Sequence, residues 1–171
     1  ENLYANQKSE DDFLMALAEG GFQVGELAKL YFPEGYDVKL LAYDESLAET
    51  AHQLKNHKIS IYEAAIQFDQ FFIRVDVLNK NGSDVELIEV KAKSFDPADP
   101  DFTYKRNSFI RPGWRPYLFD VAFQTWVTRQ AFPEWNITPY LMMADKTKVA
   151  SVDGLNQLFR IRVVESDSDR K

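Results

Sequence analysis

The chain predicts an α/β fold, a mixed central β-sheet of four to six strands flanked by α-helices, and three stretches carry that expectation. Residues 71–78 (Phe-Phe-Ile-Arg-Val-Asp-Val-Leu) and 85–91 (Val-Glu-Leu-Ile-Glu-Val-Lys) are β-rich alternating runs around Asn81-Gly82, the strongest short-range sign of a hairpin. Residues 20–31 before it and 117–132 after it place apolar side chains at helical spacing. Helices on either side of a strand block are what a layered α/β domain requires.

Each element has its own cause. Residues 11–31 predict one or two helical stretches, capped by Asp11 or Asp12, with Phe22, Leu27, Leu30 and Tyr31 as apolar positions and Pro33 and Gly35 as the stop. A short strand is expected over 38–43, a helix over 45–55, and an alternating strand over 60–69 with Tyr62, Ala64, Ile66 and Phe68 on one face and Glu63 on the other. A type I′ turn at Asn81-Gly82 sets Asp76 opposite Leu87 and makes Glu89 its diagonal neighbour. Ile73, Val75 and Val77 then face the core with Ile88, Val90 and Ala92, while Asp76, Glu89 and Lys91 gather on the other face. Residues 94–117 predict a long loop, and 117–131 a helix stopped before Pro133. Beyond it come a buried strand over 137–144, a short element over 155–164 and a polar tail over 165–171. His52 and His57, five apart, make poor co-ligands and are expected at the surface.

Composition narrows the classes. With 171 residues, 45% of them hydrophobic and 14% aromatic, the chain can bury one core, so residues 1–171 are expected to form a single domain. No run approaches the ~20 apolar residues that span a bilayer, and no membrane partner is expected. The absence of cysteine excludes disulfides and fits a cytoplasmic location. The absence of an initiator Met suggests a piece of a longer protein whose other domains are its partners. A net charge of −7 runs against a polyanion binder, but the charge is uneven. Residues 1–63 hold 5 basic and 12 acidic side chains, whereas residues 91–129 hold 7 basic and 4 acidic.

The chemistry lies in the hairpin. An Asp on one strand and Glu-x-Lys on the next offer hard carboxylate oxygens for Mg²⁺ or Mn²⁺, with an ammonium beside them to orient water or offset charge on a phosphate. A solvated Lys/Glu strand face is the plain alternative. These residues resemble the PD-(D/E)XK nuclease superfamily, with Val75 where the motif's Pro would stand. Further matches lie in Gly21, Gly25-Glu26, Ala28 and Gly35-Tyr36, which follow the spacing of the superfamily's first helix, and in Gln124, half of a Gln-x-x-x-Tyr motif in its RecB-like and CRISPR-adaptation branch. Thr128 stands where that Tyr would be. Over most of its length the chain is similar to one bacterial family of uncharacterised proteins in that branch, through residues 16–33, 87–94, 120–124 and 140–146. Some members of the branch hold an iron–sulfur cluster, which a chain without Cys cannot carry.

The resemblance implies a restriction-endonuclease-like core and divalent-metal-dependent hydrolysis of nucleic acid, DNA before RNA. Asp76 and Glu89 would bind the metal, Glu26 would be the third acid with Glu63 as second choice, Lys91 would serve the attacking water and the phosphate, and Gln124 would support Lys91 or hold a substrate phosphate. Lys93, Lys105, Arg106, Arg111 and Arg115 are the expected nucleic-acid contacts, four of them in the loop, interleaved with Phe102, Tyr104, Phe109 and Trp114. The alternative function is a nuclease-fold module without turnover that docks nucleic acid or protein within a larger repair or defence protein. For Glu26 and Gln124 the alternative is a solvated place on a helix.

Overall fold

Five strands form one sheet whose spatial order is the chain order, seen in a computed structural model that describes residues 21, 23–38, 42–99 and 102–149. The caps at Asp11 and Asp12, the apolar Phe22, and the stretches 155–164 and 165–171 lie outside the described residues. The strands are β1 (Tyr36–Asp37), β2 (Lys58–Phe68), β3 (Phe71–Asn81), β4 (Asp84–Phe95) and β5 (Asn136–Asp145). The helices are α1 (residues 23–29), α2 (Tyr43–Gln53) and α3 (Arg115–Ala131). β2, β3 and β4 are antiparallel, while β1–β2 and β4–β5 are parallel pairs. Parallel neighbours need a crossover, and α2 and α3 supply the two.

Both faces of the sheet are apolar. The main core joins Ile61, Ala64, Ile66, Ile73, Val75, Leu78, Val85 and Leu87 to Val127 of α3 and Ile137 of β5. A second cluster holds Tyr62, Val77 and Ile88 against Phe32, Val90 and Met142. Helix α2 docks through polar contacts, since Ser46 and Thr50 are buried and Thr50 Oγ1 accepts the Ala65 N–H at 2.9 Å.

The alternation of β2 and β3 breaks at one level. Ile61 and Ala64 share the main core although three apart, and so do Val75 and Leu78, with Tyr62 and Val77 in the opposite cluster. Strict alternation would divide each pair. The slip falls at Glu63 and Asp76, where the β2–β3 register skips a pair, and Glu63 adopts φ +56, a left-handed backbone uncommon outside glycine. The expected core faces are corrected accordingly: Val77 parts from Ile73 and Val75, and Tyr62 from Ala64 and Ile66.

The hairpin turn also differs from expectation. Asn81 pairs with Asp84, so Gly82-Ser83 are the central residues, and Gly82 carries positive φ (+63). Glycine in the first central place suits a II′ turn, which satisfies the strand twist as well as I′ does. Its N–H also donates to the His57 carbonyl at 2.8 Å. The register moves by two, so Leu78 rather than Asp76 lies opposite Leu87. An even shift leaves each residue on its face.

Smaller corrections have local causes. Of the strand expected over 38–43, residues 39–41 lie outside the described residues; the strand seen, β1, is Tyr36–Asp37, and Tyr43 already begins α2. Helix α1 ends at Lys29 and leaves Leu30 and Tyr31 exposed. The turn that follows lies against Tyr62, whose hydroxyl donates to the Phe32 carbonyl and whose ring fills the space a Cβ at Gly35 would need. Among the described residues strand β5 pairs with β4 alone, and of the expected buried strand Ile137 is the one residue there that is fully covered. His52 and His57 are exposed, as expected.

Candidate active site

The β3–β4 hairpin forks. Its ladder runs from the turn to Val77↔Ile88, after which β3 continues beside β2 and β4 beside β5. Asp76 is the first residue of β3 beyond the fork, and its Oδ2 accepts the Val90 N–H at 2.6 Å. A side-chain oxygen thus satisfies a strand donor that the parted backbone leaves open. Glu89 stands at the same level on β4 and is 3% exposed. Its Oε2 accepts from Gln124 Nε2 at 2.6 Å, and its Oε1 pairs with Lys91. Lys91 Nζ also lies 3.0 Å from Asp120 Oδ2, so the ammonium bridges two carboxylates.

Helix α3 brings the opposing side. Asp120 and Gln124, one turn apart, share a helix face, and Gln124 Nε2 reaches Asp120 Oδ1 at 3.4 Å. Gln124 is buried, which overturns the solvated alternative for it. Gln124 Oε1 is buried with no hydrogen-bond partner among the described residues. Thr128 donates its hydroxyl to the Gln124 carbonyl at 2.8 Å. Sequence reasoning missed Asp120. Its place four residues before Gln124 was the available signal.

Burial sets the electrostatics. Removal from water, and then the Asp76 charge, push the Glu89 carboxyl up to about 7 despite its bond to Lys91. Burial raises Asp76 too, against the Val90 hydrogen bond and the Lys91 charge. Burial works to lower Lys91, but hydrogen bonds to Glu89 and Asp120 outweigh it and hold the ammonium charged well past the ordinary range. For Asp120 burial is likewise overcome, by Lys91, and the carboxyl is lowered. Glu63 is raised, by burial first and then by Asp76.

A cavity of about 330 Å³ opens on the other side of the fork, lined by Gly25, Glu26, Lys29, Glu63, Asp76 and Lys91 among others. Glu26 therefore shares a cavity with Asp76, yet it is exposed and bonded to Lys29 at 2.6 Å, and Lys29 also holds Asp37 at 3.0 Å. Among the described residues no three carboxylate or histidine side chains converge as one metal-holding group. The Asp76–Glu89 pair nonetheless suits a small hard cation, because Mg²⁺ is commonly held by one or two carboxylates and keeps several waters. A buried carboxyl whose proton affinity is raised by a neighbouring carboxylate, as Glu89 is by Asp76, is also what a cation between them would relieve.

The expected nucleic-acid contacts divide. Lys93 lies over the rings of Trp114 (4.7 Å) and Tyr117 (5.4 Å), Arg111 pairs with Asp99 at 3.1 Å, and Arg115 opens α3. Lys105 and Arg106 are exposed. No family model, curated protein or solved structure matches the chain.

Proposed function

We propose that this protein is a divalent-metal-dependent nuclease with a restriction-endonuclease-like core, hydrolysing phosphodiester bonds of DNA or RNA. The observation that carries this reading is the convergence of Asp76, Glu89 and Lys91 at a fork in the sheet, clasped by Asp120 and Gln124. Asp76 and Glu89 would hold Mg²⁺ or Mn²⁺. When bound, the ion supplies an acidified water and polarises a phosphate oxygen. Lys91 stays protonated and spends two of its three N–H donors on Glu89 and Asp120, leaving one for charge that builds on the phosphate. Gln124 orients Glu89 and ties it to Asp120. Burial of Glu89 and Gln124 strengthens the interactions they make.

The opposing reading, a module without turnover, draws support from the same contacts, since Lys91 and Gln124 occupy both oxygens of Glu89. A cleavage assay separates the two. Labelled single- and double-stranded DNA and RNA, incubated in Mg²⁺ and in Mn²⁺, are expected to be cut by the native chain, and neither by Asp76→Asn nor in chelator. Intact substrate in every arm would leave the docking module as the surviving reading.

A further inference from the structure

Residues 102–117 carry four basic side chains and no acidic one in a chain of net charge −7, and they are not the structureless loop expected. They fold back on themselves through a bridge between Thr103 and Ile110, with the Arg111 N–H donating to the Phe102 carbonyl and the Tyr104 N–H to the Phe109 carbonyl, each at 2.9 Å. Ser108 takes φ +58 to close the tip, and its N–H donates to the Tyr104 carbonyl at 3.0 Å. The base of this finger is anchored in a cluster of Phe95, Phe102, Trp114 and Tyr117, with Phe102 and Trp114 edge to face at 5.1 Å. Phe95 ends β4, and Lys93, two residues past Lys91 on that strand, lies over Trp114.

The tip is built differently from the base. Tyr104 is 48% and Phe109 68% exposed, although a finger so well anchored could have turned such rings inward. Their backbones are bonded to each other, so the two rings leave neighbouring positions. Lys105 and Arg106 lie between them in sequence and are exposed.

We infer that the finger is a binding site for single-stranded nucleic acid, with unpaired bases stacking on Tyr104 and Phe109 and Arg106 meeting the phosphates beside them. Stacking on an exposed ring needs a free base face, which a single strand offers and a duplex interior withholds. The positive tip complements the polyanion. Resting on the nuclease reading, the inference names the substrate strand and the direction from which it reaches Lys91, by way of Lys93.

The test is anisotropy with a short labelled single strand of DNA, the same sequence as RNA, and a blunt duplex, all in chelator so that nothing is cut. Tyr104→Ala with Phe109→Ala is expected to weaken single-strand binding about tenfold or more, to leave duplex binding and the melting temperature unchanged, and to keep the salt dependence. Arg106→Ser should lower the slope of log affinity on log salt by about one. Unchanged single-strand affinity in the aromatic variant, an equal loss on the duplex, or no nucleic-acid binding by the native chain would overturn the inference. Binding without cleavage in the metal assay would overturn the nuclease reading and leave the finger standing. Cleavage with an indifferent finger would do the reverse.

Discussion

The two halves of the β3–β4 hairpin share one sequence style and have opposite fates. From the turn to Val77↔Ile88 the strands pair regularly, and Leu78, Val85 and Leu87 are buried in the main core. Past that point the strands separate, and Asp76, Glu89 and Lys91 gather at the fork while Ile73 and Val75 stay in the main core. A sheet that stays paired satisfies its backbone within itself and can be dry. One that forks must find other donors and acceptors, and here side chains supply them. The same fork that breaks the ladder thereby concentrates titratable groups, with burial raising the proton affinity of Glu89 and of Asp76.

The contrast is sharpest for substitutions that shift one half without the other. Lys91→Ala should lower turnover about a hundredfold or more, the scale for removing an electrostatic stabiliser, while Mn²⁺ binding by calorimetry stays near the native value. Steady-state cleavage within a few-fold of native would remove Lys91 from the chemistry. Leu87→Ala, in the paired half, should instead cost about 2–5 kcal/mol of stability by urea melt and leave the rate per folded molecule unchanged.

A subtler asymmetry lies in pH. Glu89 has a folded-state pKa near 7 against an ordinary 4.5, so its proton is held more tightly in the fold. Its stabilising contribution is then full below about 4.5 and disappears as pH rises through 7. The metal-free protein should lose about 5 °C of melting temperature from this group between pH 5 and pH 8, and Glu89→Gln should flatten that fall. A melting temperature that rises with pH over this window would place the carboxylate in a different environment.

The paired half was largely legible in the sequence, the forked half less so. Alternation in residues 71–78 and 85–91 and the glycine of the turn identify the hairpin because they are local properties. The Asp, Glu and Lys that share a site are legible too, since they lie within one hairpin. The slip at Glu63 and Asp76 is not, because it depends on two strands breaking step together, and nothing in either run alone marks it. Asp120 escaped for a related reason: its role comes from α3 crossing the sheet at Lys91. Gln124 reads as a polar residue among apolar ones, and its burial follows from the Glu89 it meets. The finger at 102–117 looks like a loop because a single bridge and an aromatic cluster hold it, without any run of regular pattern.

The metal affinity of the fork reaches the core of this reading with the fewest intermediate steps. In calorimetric titration of the native chain with Mn²⁺ near pH 8, where Glu89 has lost its proton, binding is expected, together with a rise in melting temperature by linkage. Both should be largely abolished in Asp76→Asn. No heat at millimolar Mn²⁺ and an unmoved melting temperature, in a native chain shown to be folded, would contradict the assignment of Asp76 and Glu89 as a metal-binding pair.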